Sequence, residues 1–180
     1  MAKQFPKLEK SHIEFIDNQH MFFVGTAAQE GYVNVSPKGM DSLRVINESK
    51  IVWLNLTGSG NESAAHVLEN NRMTIMFCSF DLKPLIFRIF GNAKAVHQRD
   101  AEWAELISLF PEYVGARQIF VVDISMVQTS CGYAVPFMEY KKERDTLENG
   151  AIKKGREGIE ASWERRNTHS LDGKDTGIFE

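Results

Sequence analysis

The chain of 180 residues contains only two cysteines and five prolines, and it has no marked excess of charge of either sign. Cys78 and Cys131 are far apart and stand in no CxxC spacing, which predicts reduced thiols in a cytoplasmic protein. Lysine and arginine total 21 against 24 aspartates and glutamates. This balance does not favour the clustered basic surface that nucleic-acid binding needs, and we expect no nucleic-acid partner.

No apolar run approaches the roughly 18 residues that would span a bilayer, and the charged start MAKQFPKLEK is not followed by the apolar stretch of a signal peptide. We therefore expect a cytoplasmic globular protein without a membrane partner. The five histidines form no i, i+3 or i, i+4 pair, so no zinc site is predicted.

Several catalytic and nucleotide-binding patterns are also missing from the sequence. GxSxG, the P-loop and GxGxxG are all absent, and the last absence argues against a Rossmann domain. The chain therefore shows no acid–base machinery of its own, and any chemistry would have to come from a bound cofactor.

Short β-rich runs separated by turns dominate the first three quarters of the chain. They predict a mainly β fold with a few helices, in the form of a closed or partly closed antiparallel barrel. The predicted strands cover residues 21–28, 32–37, 42–47, 50–56, 72–80, 85–97 and 118–130, and the predicted helices cover 8–18, 62–71 and 100–110.

The composition becomes strongly charged after about Pro136. We divide the chain into a barrel domain (1–137) and a charged C-terminal tail (138–180) that packs on the barrel or on a dimer partner. Gly150, Gly155 and Gly158 are expected to interrupt any helix in the tail. Ile159 and Trp163, four residues apart, are expected to anchor a single helical turn.

One segment has the composition of a phosphate-binding loop. The run from Asn55 to Ser63, NLTGSGNES, leads from a strand through small and hydroxyl residues into a helix, with Asn61 as the predicted N-cap. Its backbone N–H groups, its hydroxyls and the helix N-terminus suit a phosphate. A flexible connector with an Asn cap is the alternative.

Two further stretches carry candidate basic ligands. In Val35–Gly39, Lys38 could neutralise a phosphate, with Ser36 and the Gly39 amide as further donors; the alternative is a turn with a solvated lysine. Arg88 is a lone charge in the apolar run LIFRIFG. It needs an acidic or phosphate partner if it is buried, and otherwise it faces solvent on the sheet.

Taken in order, the segments FFVGTA, NVSPKG, IVWLNLTGSGNESAAHVLENNRMTIMF, FGNAKAV and CGYAVPFMEY resemble the FMN-binding split-barrel proteins related to pyridoxamine 5′-phosphate oxidase. The likeness covers roughly residues 8–140, and the tail resembles that of one branch of these proteins. It implies an antiparallel split β-barrel that forms a homodimer with FMN at the interface.

The resemblance also implies a set of cofactor-binding residues. Lys38 falls where a basic phosphate ligand is expected, and Asn55 lies on the strand that runs beneath the flavin. The full predicted set is Ser36, Pro37, Lys38, Gly39, Asn55, Thr57, Gly58, Ser59, Asn61, Glu62, Ser63 and Arg88. Tyr133 and Pro136 either approach the flavin ring or belong to a strand end that crosses the barrel.

The sequence departs from the family's oxidases at the start of the helix that ends in ENN. Those enzymes have a Ser-Arg-Lys run there, whereas this chain has Glu62-Ser63-Ala64 after an enlarged TGSGN loop. Two positive charges are lost, and each charge-assisted hydrogen bond is worth roughly 1.5–3 kcal/mol. The C-terminal substrate-binding segment of the oxidase is also absent, so oxidation of pyridoxamine phosphate is not expected.

The predicted function is therefore FMN binding, with a flavin-dependent oxidoreductase acting on a small substrate or on NAD(P)H as the leading hypothesis. A non-catalytic flavin carrier or sensor is the alternative, and a barrel that has lost its nucleotide is the third. Because related split barrels bind haem or deazaflavin, the identity of the cofactor is itself a prediction.

Overall fold

The structure is a computed structural model that describes residues 2–179. Its eight strands form one antiparallel sheet in the order β3-β2-β6-β7-β8-β5-β4, and β1 pairs with β8. The strands are β1 (Lys3–Phe5), β2 (Phe22–Thr26), β3 (Asn34–Lys38), β4 (Leu43–Asn47), β5 (Lys50–Leu56), β6 (Arg72–Cys78), β7 (Ile86–His97) and β8 (Ala116–Ser130). The helices are α1 (Lys10–Asp17), α2 (Glu62–Glu69), α3 (Trp103–Ile107) and α4 (Thr146–Arg166).

Alternation along the strands creates the main core. In β6, residues of the inner face such as Ile75 and Phe77 are buried, and the residues between them are only partly covered. This is the pattern of a sheet with one covered face. The inner faces of β2, β5, β6, β7 and β8 share a single apolar cluster that includes Val24, Trp53, Ile89 and Val127.

The run IVWL in β5 is buried throughout because both of its faces are covered. Ile51 and Trp53 point into the main core, whereas Val52 and Leu54 join a second cluster with Phe110 and residues near α3. A continuous apolar run of this kind is typical of a strand covered on two sides.

The paired strands β7 and β8 require a glycine at one position. A β-bulge lies between Phe90 and Gly91, and a Cβ at Gly91 would lie 2.4 Å from the Asp123 carbonyl oxygen. A side chain at this point would force the two strands apart.

The expectation of a single helical turn in the C-terminal region is wrong, because helix α4 is much longer. Helix α4 covers 21 residues, and Gly155 (φ 65°, ψ 176°) interrupts it as expected, because two helical stretches meet there at a kink. Gly150 and Gly158 lie within the helix and do not end it, since only Gly155 leaves helical geometry. Ile159 and Trp163 are buried and pack with Ala151 and Ile178.

Residues after α4 fold back over α2. Thr176 is fully buried and donates a hydrogen bond from Oγ1 to the Asn167 carbonyl, and Lys174 pairs with Glu69. Arg99 donates to the carbonyls of Gly177 and Ile178. Over residues 2–179, no helix has both the length and the apolar character to cross a membrane.

Candidate functional site

A cavity of about 990 Å³ lies between the barrel and the C-terminal region. On the barrel side it is lined by the end of β3, the loop after β5 and residues near His20 and Phe80. The other wall is the segment 138–147 together with one face of α4. Six of the twelve predicted site residues line this cavity: Pro37, Lys38, Gly39, Thr57, Gly58 and Ser59.

Lys38 is the cation that the barrel contributes to the cavity. It ends β3 opposite Phe22, and its Nζ lies 5.3 Å from the centre of the Trp53 ring. Burial lowers the pKa of Lys38 to about 8, and the positive charge of Arg117 adds to the shift. Within residues 2–179, no carboxylate forms an ion pair with Lys38. An anion in the cavity would therefore stabilise its charged form.

Arg117 is a buried cation that the sequence analysis missed. This residue of β8 is 3% exposed, and burial lowers the pKa of its guanidinium to about 9. One terminal nitrogen donates to the Gly60 carbonyl at 3.0 Å and to Asn167 Oδ1 at 2.6 Å. Nε has no hydrogen-bond partner among the described residues. The charge is thus held by neutral acceptors, which is costly for a buried ion.

Two of the hydroxyls predicted to bind phosphate, those of Thr57 and Ser63, already make hydrogen bonds within the protein. Thr57 donates to the Gly115 carbonyl at 2.9 Å and accepts a bond from Trp163 Nε1 at 2.8 Å. Ser63 is buried outside the cavity, where it accepts hydrogen bonds from Thr26 and Asn34. The Thr57 hydroxyl can donate to a phosphate only if its bond to Gly115 breaks, and Ser63 does not line the cavity. Gly58 and Ser59 do face the cavity.

The start of α2 is directed towards the C-terminal region. Asn61 occupies the N-cap position, as predicted, but makes no side-chain capping bond. Its amide instead exchanges hydrogen bonds with Gln118 and donates to the Asn167 carbonyl. Glu62 accepts a bond from the Leu171 backbone N–H at 2.9 Å. These contacts connect α2 to the chain that follows α4.

Three other predicted residues lie outside the cavity lining. Ser36 pairs with Val24 within the sheet, and Asn55 is buried opposite Gln118 in β8. Arg88 is half-buried on the outer face of the sheet and donates to Ser130 Oγ at 3.1 Å. Lys38 pairs with the buried Phe22, whereas Arg88 lies opposite Met76 on the outer face, so the structure does not bring these two cations together.

The turn after Lys38 is strained. Met40 and Asp41 have positive φ values of 63° and 51°, which non-glycine residues rarely adopt and which occur often at functional sites. Tyr113 donates to the Met40 carbonyl at 2.5 Å, and Arg44 forms an ion pair with Asp41. These contacts hold Met40 at the wall of the cavity.

The opposite wall is rich in charge. It carries the cations Lys142, Arg144, Lys154 and Arg166, and the cavity also contains the carboxylates of Asp81, Glu139 and Glu143. Tyr140 stacks on His20 with 3.6 Å between ring centres and donates to Glu143. With Lys38 included, five cations face three carboxylates, so the cavity favours an anionic ligand.

The fold and the site together define an antiparallel barrel with an anion-attracting cavity. Residues 8–131 match the family described as pyridoxamine 5′-phosphate oxidase. The match covers more than half of the chain, and the chain belongs to this family, which confirms the resemblance found in the sequence.

Individual relatives agree with this assignment. A pyridoxamine 5′-phosphate oxidase family protein of Aspergillus flavus, ustO, is 39% identical over 135 residues, which are 72% of this chain and 54% of the relative. The chain therefore spans about half the length of that curated protein.

Solved structures show the same fold. A proposed pyridoxamine 5′-phosphate oxidase of Lactobacillus delbrueckii superposes with a TM-score of 0.55 at 20% identity, covering 68% of this chain and 94% of that one. HupZ of Group A Streptococcus superposes with a TM-score of 0.53 at 16% identity, covering 68% of this chain and 98% of that one. These likenesses confirm the split β-barrel.

Proposed function

We propose that this protein binds FMN in the cavity between the barrel and α4, with the phosphate group near Lys38. The observation that carries the proposal is the uncompensated charge of Lys38 in a partly desolvated position. A lysine held there without a carboxylate is disfavoured unless an anion binds. Family membership and the resemblance in the sequence supply the choice of a flavin.

The residues present fit such a ligand. A volume of about 990 Å³ lies at the upper end of the range for cofactor pockets. The backbone N–H groups of Gly58 and Ser59 offer further donors at the cavity wall. No side chain crowds Gly58, since a Cβ there would meet nothing within 4 Å.

We further propose that the protein is a flavin-dependent oxidoreductase acting on a small substrate or on NAD(P)H. Bound flavin supplies hydride or electron transfer. The chain's own residues bind and orient the flavin, and the segment 138–147 restricts access of water to the cavity. In this proposal residues 1–137 carry the flavin site and residues 138–180 cover it.

A homodimer with FMN at its interface, as the resemblance implies, is part of the same proposal. On the outer face of the sheet, Phe23 and Met76 are directly opposite each other, as are Phe90 and Met126. All four are only partly exposed, and their strands bury the other face in the core. Exposed aromatic residues follow in the next segment, where Tyr133 and Phe137 are 84% and 75% exposed. Partly exposed apolar pairs on one face of a sheet suit a second copy of the chain.

The test of flavin binding is an absorption spectrum of the full chain after incubation with FMN and desalting. We expect retained flavin bands, and bleaching of those bands by NADH or NADPH under anaerobic conditions. Retained flavin that no donor reduces would favour the carrier or sensor. A colourless protein would contradict flavin binding altogether. Light scattering on the same sample tests the dimer, and a monomer at micromolar concentration would contradict it.

A further inference from the structure

Arg166, in the last turn of α4, faces the cavity. Ser162 lies four residues before Arg166, and Ile159 lies three residues before Ser162, so the three share one face of the helix. All three line the cavity. The same cavity is lined by Lys38, Gly58 and Ser59 from the barrel. Arg166 is exposed, so its guanidinium is available to a ligand.

The position of Arg166 is fixed by its neighbours in the chain. Three residues before it, Trp163 donates to Thr57 Oγ1 at 2.8 Å. Directly after it, Asn167 accepts from Arg117 at 2.6 Å and from Asn61 at 3.4 Å. These bonds hold the end of α4 against the loop 57–61. The backbone of Arg166 is therefore held close to the loop by the bonds on either side of it.

The charge of Arg166 has no carboxylate partner in the part of the chain that the structure describes. Within the same residues, 2–179, this is also true of Lys38. A basic residue in the last turn of a helix also interacts favourably with the helix dipole. The adjacent Arg165 has that same role, but it donates to the Ala161 carbonyl and does not line the cavity. The dipole therefore does not explain why Arg166 faces the cavity.

We propose that Arg166 binds the phosphate group of the flavin together with Lys38, so that the anion connects the barrel to α4. This inference rests on the FMN binding proposed above. A guanidinium suits the role because it can donate two parallel hydrogen bonds to phosphate oxygens. The loop 57–61 has no charged side chain, so the positive charge beside it comes from elsewhere in the fold.

The experiment compares FMN with riboflavin, which lacks the phosphate, on the full chain and its variants. Fluorescence titration gives both affinities for the wild type, Arg166→Gln, Arg166→Lys and the matched control Arg165→Gln. We expect Arg166→Gln to weaken FMN binding by about ten- to a hundredfold, as the loss of one charge-assisted contact predicts. Riboflavin affinity should not change. Arg166→Lys should recover part of the loss, and Arg165→Gln should match the wild type.

The outcomes separate this inference from the proposed function. Binding of neither flavin by the wild type would defeat both. If the wild type binds FMN and Arg166→Gln matches Arg165→Gln, only the role of Arg166 is wrong. Equal weakening of FMN and riboflavin would also overturn it, because that pattern indicates a structural effect and no phosphate contact.

Discussion

Trp163 of α4 donates a hydrogen bond from its indole Nε1 to Thr57 Oγ1, 106 residues earlier in the chain, at 2.8 Å. Thr57 in turn donates to the Gly115 carbonyl just before β8. A single hydroxyl therefore joins the loop after β5 to α4 and to the start of β8. Because Thr57, Gly58 and Ser59 line the cavity, the bond from Trp163 fixes the shape of one of its walls.

Two substitutions at Trp163 separate its packing from its hydrogen bond. Trp163→Phe keeps an aromatic ring in the cluster with Ile159 and Ile178 but removes the N–H donor. We expect a loss of about 1 kcal/mol in the free energy of unfolding. Trp163→Ala also removes most of the buried ring, and we expect a loss of about 3–5 kcal/mol. Urea denaturation of the full chain measures both.

If Trp163→Phe and Trp163→Ala lowered the free energy of unfolding equally, the packing of the ring would contribute nothing beyond the hydrogen bond, and this prediction would be wrong. Leu171→Ala is a suitable control because Leu171 follows α4 but is 78% exposed. We expect that variant to unfold within about 0.5 kcal/mol of the wild type, as surface substitutions usually do.

Arg117 provides a second test, through its effect on Lys38. The positive charge of Arg117 contributes to the lowered pKa of Lys38, so Arg117→Met should raise that pKa above about 8. The pKa should stay below the ordinary value of 10.5 because burial, the larger cause, remains. The measurement is an NMR titration of the lysine side-chain signals, with Lys38 assigned by its absence from Lys38→Met.

The matched control for Arg117→Met is Arg99→Met. Arg99 lies near the C-terminal residues, where it donates to the Gly177 and Ile178 carbonyls, and it is not a cause of the Lys38 shift. An unchanged Lys38 pKa in Arg117→Met would show that the two charges do not interact.

The sequence predicted the strands well because their signal is local. The alternation in RMTIMFC and the apolar run IVWL identify β6 and β5 without any tertiary information. The full length of α4 was not predicted, because its three glycines lower the helix propensity of this segment. The packing of Ile159 and Trp163 stabilises this helix, and such contacts are not visible in the local sequence.

The candidate site was only half predictable for the same reason. Pro37, Lys38, Gly39 and the loop 57–59 could be found from turn and strand patterns, and they do share one cavity. Arg117 stands just before the predicted strand 118–130, although the structure includes it in β8. Its burial depends on Asn167, 50 residues away. Arg166 likewise reaches the cavity only through the long-range contacts of α4. Spacing along the chain carries no signal for either residue.

The lowered pKa of Lys38 leads to a third prediction, about pH. In the free protein Lys38 loses its charge as the pH rises through about 8. The phosphate group already carries nearly its full charge above pH 7, since its second pKa is about 6. We therefore expect FMN affinity to fall between pH 7 and pH 9.5, while riboflavin affinity changes little. Lys38→Met should bind FMN more weakly at pH 7 and show a much smaller fall.

Lys38 should also make the stability of the protein depend on pH, but stability should rise with pH where FMN affinity falls. The pKa of Lys38 is about 8 in the folded chain, against 10.5 as its ordinary value, so between these pH values the unfolded chain binds more protons. The contribution of Lys38 to the free energy of unfolding must then increase as pH rises across that window. Urea denaturation of the wild type and Lys38→Met at pH 7.5 and pH 9.5 isolates this contribution as a difference between the two proteins. If that difference did not change with pH while FMN affinity still fell, the pH dependence of binding would belong to a group other than Lys38.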